Sequence, residues 1–366
     1  MNSLGFCGSY RQGDVRFLLK PLSLQSFISV NEKERLIQSG NRHYSEMLSP
    51  ETLPSENYLR FFQQAFDANR AQMAQDCVVL ASLIHKQKTD GITLVSLARA
   101  GTPVGVILKH LLMNVFNRGC EHYSISIVRD RGIDEVALRH ILSQGHAPES
   151  IVFVDGWTGK GVISKELTKC VVRFNQRHGV TINGGLYVLV DLAGTAYCAA
   201  SCADYLIPSS ILNATVSGLI SRSILNDAIG PDDFHGCVYY DAFLPYDQSG
   251  IFAAALIDEG VALVKNRGIP VAEKIDREKA AAVCSAFMQA SMKQYRIADP
   301  NLIKPGIGEA TRVLLRRMPR LLILRNPHSA DVSHLKVLAA EKGVKVVVAP
   351  ELPYQAVSLI RSALDG

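Results

Sequence analysis

Two periodicities divide this chain. Up to about residue 90 the apolar positions recur at helical spacing, through Asn31 to Ser39 and again from Ser55 to Lys88, with Pro50 and Pro54 breaking the chain between them. Ser55 stands where an N-cap hydroxyl would serve the second helix. Gly8 to Lys20 reads as an extended lead-in. From Gly91 short apolar runs alternate with helical stretches. Ile92–Leu97 is a strand, followed by Gly101 and a helix over Val104–Val115. Ser124–Val128 is a strand, followed by the polar turn Arg129–Asp134 and a helix to Ser143. Ile151–Val154 leads through a turn with Gly156, Gly159 and Gly161 into a helix to about Phe174. Leu186–Val190 leads through Gly194 into a helix of small residues.

Strand followed by helix, four times over, predicts a parallel α/β sheet, because a parallel connection needs about a dozen or more residues. Residues 216–295 read as helices and loops that complete this domain. Asp299-Pro300 and Lys304-Pro305-Gly306 read as a linker. A compact α/β unit follows: helix Glu309–Arg317, strand Leu321–Leu324, helix Ser333–Glu341, strand Val344–Val348 and helix Tyr354–Leu364. The expected domains are a helical extension over 1–90, a sheet domain over 91–300 and a small domain over 306–366.

The length of 366 residues fits two to three domains at about 150 residues each. With 48% hydrophobic and 20% charged residues, disorder as the main state is excluded. No apolar run reaches the ~18–20 residues of a membrane span. The first residues carry Arg11, Asp14 and Arg16 rather than a charged-then-apolar leader, so a cytoplasmic protein is expected. The eight cysteines are scattered, with only Cys198 and Cys202 close together, and reduced thiols are the expectation. Net charge is +5, and residues 306–366 carry nine basic and five acidic side chains, so most of the surplus lies there.

In a parallel sheet, ligands bind beyond the carboxyl ends of the strands, where four turns are rich in Gly, Asp, Arg or Thr. Arg99-Ala100-Gly101-Thr102 offers helix-start amides and a guanidinium to an anion. Asp155-Gly156-Trp157-Thr158-Gly159-Lys160-Gly161 offers amides, a hydroxyl and an ammonium to a phosphate, with Asp155 placed for hydroxyls or Mg²⁺. Its spacing is not that of a P-loop. Arg129-Asp130-Arg131 is either a clamp for pyrophosphate or carboxylate or an ordinary helix start capped by Asp134. Asp191 repeats the strand-then-acid logic of Asp155. His235 and Cys237 share a face if their segment is extended, which leaves a Cys/His nucleophile pair open beside plain packing.

Long strings in the chain resemble a bacterial family of phosphoribosyltransferase-like proteins from tellurite-resistance-type stress operons, a family also labelled cysteine protease StiP. They include Gly8-Ser9-Tyr10, Phe17-Leu18-Leu19-Lys20, Glu32 through Gly40, His43-Tyr44-Ser45-Glu46-Met47, the Arg99 turn, His122 through Asp134, the Asp155 turn and Ser217-Gly218-Leu219-Ile220-Ser221-Arg222. The last sixty residues resemble the Pelota-type RNA-binding domain, with Gly308-Glu309-Ala310-Thr311-Arg312 as a partial signature.

The resemblance implies a phosphoribosyltransferase-like sheet, with pyrophosphate on Ala98–Thr102, a 5-phosphate on Thr158–Gly161 and ribose hydroxyls on Asp155. The family's usual pair of acids is absent, since Gly156 replaces the second and only Trp157 precedes Thr158. The expected function is phosphoribosyl transfer between phosphoribosyl diphosphate and a nitrogenous base, with Mg²⁺ on the substrate oxygens. The alternatives are a cysteine protease of the StiP type and a nucleotide-sensing, RNA-binding protein without turnover. RNA is expected on Arg312, Arg316, Arg317 and Arg320, which cluster in and just after the basic helix of the small domain.

Overall fold

The fold is that of a computed structural model, which describes residues 6–23 and 28–362. The chain opens with β1 (Arg16–Leu18), β2 (Lys20–Pro21), α1 (Val30–Gln38) and α2 (Glu56–Gln87). The Ser55 hydroxyl accepts from the Tyr58 amide at 3.3 Å and starts the long second helix where the sequence placed its cap. The alternating region follows as β3 (Thr93–Ala98), α3 (Gly101–Phe116), β4 (Glu121–Val128), β5 (Gly132–Ile133), α4 (Glu135–Ser143), β6 (Ile151–Thr158), α5 (Val162–His178), β7 (Leu186–Asp191) and β8 (Cys198–Ser201).

These strands form a seven-stranded sheet in the order β1-β4-β3-β6-β7-β8, parallel throughout that path, with β5 antiparallel on β4. Helices α2 and α3 bury their apolar sides on one face of the sheet. Helices α4 and α5 bury Leu138, Ile141, Leu167 and Phe174 on the other. Covering both faces explains why the inner strands read as continuous apolar runs. The expected helix of small residues after Gly194 is instead β8. Its residues pair with Tyr187 to Val190, and the sheet gains a strand where Cys198, Ala199 and Ala200 had suggested a helix.

Beyond the sheet come β9 (Gly236–Cys237), which pairs with β2, and the helices α6 (Ser249–Arg267) and α7 (Arg277–Tyr295). The C-terminal unit holds β10 (Ile303–Pro305), α8 (Ile307–Arg316), β11 (Pro319–Leu324), α9 (Ser333–Glu341), β12 (Lys345–Val348) and β13 (Ala356–Ile360), with sheet order β10-β13-β11-β12. Two expectations are corrected here. Residues 303–305 are a strand paired with β13, not a free linker. The segment expected as a helix over 354–364 contains β13, whose five residues are all buried between β10 and β11; Ala363 and Leu364 lie outside the described residues.

The C-terminal unit is docked on the main sheet by polar contacts. The carboxylate of Asp204, in the loop after β8, accepts from the Ile307 and Gln355 amides, both at 2.8 Å. Arg316 donates to the carbonyls of Ser210, Ile211 and Leu212 at 3.0, 2.6 and 3.1 Å. Five backbone and side-chain bonds thus cross between the units at two residues, enough to fix α8 over the carboxyl edge of the sheet.

Candidate functional site

Between that edge and α8 lies a cleft of about 1010 Å³. Among the described residues ten cationic and four acidic side chains line it, a formal +6. The positive charge of this protein is therefore gathered at one place, the arrangement that draws an anion into a low-dielectric recess.

The floor is the turn after β6. This strand runs further than its apolar run suggested, through Asp155 and Trp157 to Thr158, because Trp157 and Thr158 pair with Val190 and Asp191. The turn proper shrinks to Gly159–Gly161. Gly161 has φ of +75° and is the N-cap of α5, with no side chain capping the helix. Its amides are left for a ligand, the usual setting for an anion. Ser164, in the first turn of α5, is 4% exposed and lines the cleft, and its hydroxyl has no partner. Lys160 donates to the carbonyls of Pro300 (2.6 Å) and Ile303 (3.3 Å). Burial, with Lys304 nearby, lowers its pKa to about 7.

Asp155 accepts from the Gly156 amide at 2.8 Å, and burial pushes its carboxyl up to about 7. The roof comes from the C-terminal unit. Arg312 lies 5.6 Å from the centre of the Trp157 ring and reaches Glu309 at 3.3 Å; Lys304 reaches the same carboxylate at 3.6 Å. Burial alone would raise Glu309, but Lys304, Arg312 and Lys160 outweigh it and hold the carboxyl at about 2.

The sequence-named residues are only partly brought together. Arg99, Ala100, Arg129, Asp155, Trp157, Thr158, Gly159, Lys160 and Gly161 all line the cleft. Several of their polar groups are already used. Arg99 pairs with Glu51 at 2.5 Å and donates to Ile220 O and Asn213 Oδ1. The Thr158 hydroxyl donates to Asp191, so Thr158 offers no free hydroxyl to a phosphate.

Asp191 is corrected from a ligand contact to an organiser of its own turn. It is fully buried and also accepts from the amides of Ala193, Thr195 and Ala196. Gly101 and Thr102 are buried in the start of α3, where the Thr102 hydroxyl meets that of Ser124 at 2.8 Å. Gly156 is buried within β6. Asp130 pairs with Arg129 at 3.1 Å, Arg131 turns to Glu46, and Asp134 caps α4. The basic helix is also corrected, since Arg316 is held by carbonyls of the segment after β8 and Arg312 turns into the cleft over Trp157. Arg317 and Arg320 are exposed. Ser164 is not singled out from sequence, Lys304 reads only as linker, and Tyr44 and Glu309 sit in quoted strings without a role in the cleft. Arg222 sat in a quoted string, but nothing local marked it as a cleft residue.

The thiols lie elsewhere. No cysteine and no histidine lines the cleft. Cys237 is buried, which pushes its thiol up to about 12. The carbonyls of both His235 and Cys237 accept from the β2 segment, so the two side chains share a face. The His235 ring nonetheless bonds Ser126 Oγ at 2.8 Å, and its backbone amide donates to Asp134 at 2.6 Å. Among the described residues no group of three or more His, Cys, Asp or Glu is placed to hold a metal ion, and no helix is long and apolar enough to cross a membrane.

Fold and site together define a parallel α/β protein with a cationic cleft roofed by a small C-terminal α/β unit. The family model described as "Tellurite-like stress resistance cysteine protease StiP" matches residues 8–257, and that of the PELOTA RNA binding domain matches 282–362, starting inside α7. The chain is 40% identical to "Cysteine protease StiP" of Acinetobacter baylyi, over 99% of this chain and 96% of that relative. It belongs to the StiP family. A solved amino transferase from Eubacterium rectale aligns with 10% identity over 78% of this chain and 67% of its own, at a TM-score of 0.25, and carries no argument. These matches overturn the expectation of phosphoribosyl transfer, because both the family and the full-length relative bear the name of a cysteine protease.

Proposed function

We propose that this protein is a StiP-type enzyme whose cationic cleft binds a phosphate-bearing anion. The observation that carries the cleft reading is the open start of α5: uncapped amides, the unpartnered Ser164 hydroxyl and the Lys160 ammonium meet at one turn. Amides, hydroxyl and ammonium are all donors, and a phosphate supplies only acceptors at neutral pH. A Mg²⁺ entering with the phosphates would find the Asp155 carboxylate in the same recess. Calorimetric titration with pyrophosphate tests this. Binding by the wild type that weakens about tenfold in Ser164→Ala and in Lys160→Met supports it. Equal affinity in all three removes the turn from the site.

The peptidase activity is proposed from the relative's name. Cys237 lies two residues from His235 in an extended segment, and Asp134 and Ser126 hold that histidine in place. In this state the thiol is protonated and buried. Peptide cleavage would require the His235 ring to leave Ser126 and take the thiol proton; the thiolate would then attack the carbonyl carbon, the imidazolium would give that proton to the departing amine as the C–N bond breaks, and water would hydrolyse the thioester to restore the thiol. Cys237→Ser should abolish hydrolysis of a casein substrate while leaving pyrophosphate binding intact. Undiminished hydrolysis in Cys237→Ser would assign the activity to another thiol. RNA, if bound by the C-terminal unit, would meet the exposed Arg317, which also lines the cleft, and Arg320.

A further inference from the structure

The cleft continues past the turn to an arginine with incomplete hydrogen bonding. Arg222 lines the cleft and donates through Nη2 to the carbonyls of Tyr44, at 2.6 Å, and Met47. Its Nη1 is buried and has no partner. Nearby acids are committed elsewhere: Glu51 pairs with Arg99 at 2.5 Å, and Glu46 with Arg131. Among the described residues Arg222 makes no ion pair within 4.0 Å.

A second guanidinium shares its aromatic neighbour, Tyr44. Arg129 lies 5.3 Å from the centre of the Tyr44 ring and Arg222 lies 5.5 Å from it. The Arg129 amide donates to the Tyr44 hydroxyl at 2.8 Å, which ties this ring to the turn after β4. Ser49, on the same strap of chain as Tyr44, also lines the cleft with a buried hydroxyl that has no partner. Arg129 is paired with the exposed Asp130 at 3.1 Å, whereas the Arg222 Nη1 and the Ser49 hydroxyl are buried and lack partners, which leaves a recess open to an incoming acceptor. Buried polar groups are normally paired, and a planar guanidinium fork matches an oxyanion bearing two or more oxygens.

We infer that Arg129 and Arg222 form a second phosphate subsite, so that the ligand of this cleft carries two phosphate groups. The first sits at the start of α5 and the second on the Tyr44 strap. The inference rests on the proposed phosphate reading of the cleft and extends it to the ligand's class: a bisphosphate or a chain of phosphates.

The test uses crystals of the full chain soaked in sodium tungstate, an oxyanion that anomalous scattering locates directly. Wild type should show one tungstate at Lys160 and Ser164 and another at Arg129 and Arg222. Arg129→Gln is the variant of choice, because Arg222 also supports the backbone of residues 44–47. It should lose the second tungstate and keep the first. A single ion at the start of α5, or a second ion that survives Arg129→Gln, overturns the inference and leaves the cleft reading standing. An ion at Arg222 with none at Lys160 and Ser164 does the reverse.

Discussion

Lys160 gives the sharpest handle on the cleft, because its protonation is placed where solution pH can move it. Burial and the neighbouring Lys304 lower its pKa to about 7, so it is roughly nine-tenths charged near pH 6 and roughly one-tenth charged near pH 8. Only the ammonium form donates a charge-assisted bond to an anion, and such a bond contributes about 1.5–3 kcal/mol. That energy corresponds to about a 10–100-fold difference in anion affinity between the two protonation states, so a bound anion raises the Lys160 pKa further. Anion affinity should therefore be highest below about pH 7 and fall about 10–100-fold as pH rises to about 9. Sulfate is the probe, since its own charge is constant over this range. Its affinity is read by calorimetry for wild type and for Lys160→Met, which keeps the length of the side chain and removes its charge. The variant should bind weakly at all pH values and show only the smaller fall that ionisation of Asp155 in the same recess produces. A wild-type affinity that is flat with pH, or a step of equal size in Lys160→Met, would refute the assignment of Lys160 to the anion.

Three other changes bear on the same account. Gly161→Ala should cost about 1–2 kcal/mol from its left-handed backbone alone and abolish sulfate binding, because the new Cβ would lie 2.5 Å from the Thr195 side chain; denaturant melts and calorimetry measure the two effects. Asp155 has a folded pKa of about 7, above its ordinary 3.8, so the folded chain holds the extra proton and stability falls as pH rises from about 4 to about 7. Asp155→Asn should therefore raise the melting midpoint above neutrality and leave it unchanged near pH 3, where both forms are uncharged. The double change Arg317→Ala and Arg320→Ala should weaken RNA filter binding and reduce the slope of log affinity against log salt by about 1.5–2, if those two cations contact phosphates.

The parallel sheet was legible because its strands are short apolar runs separated by helices with a turn signal at each carboxyl end. What misled was context that local pattern does not contain. Residues 356–360 have helix-compatible spacing, yet they form the strand between β10 and β11, where every side chain is buried and backbone pairing is available on both sides. Asp191 and Asp155 read alike in sequence, each an acid ending an apolar strand. Three amides and the Thr158 hydroxyl consume the first, whereas the second accepts one amide bond and lines the cleft.

The basic face of α8 was visible as charge, but no spacing says whether such a face meets solvent or another part of the chain. Three carbonyls of the segment after β8 claim Arg316, and Trp157 lies under Arg312. Arg222 and Tyr44 are 178 residues apart, and their meeting depends on the whole fold.

The central claim is that the cationic cleft binds a phosphate-bearing anion, and Trp157 can report on it directly, being the only tryptophan of the chain and part of the cleft wall. The measurement is a fluorescence titration of the full chain with pyrophosphate at low salt, near pH 6.5. A saturable change in Trp157 emission is expected that weakens with added salt and needs about tenfold more pyrophosphate in Lys160→Met, with the variant still folded by circular dichroism. Emission that stays unchanged up to millimolar pyrophosphate, or that changes equally in Lys160→Met, would contradict it.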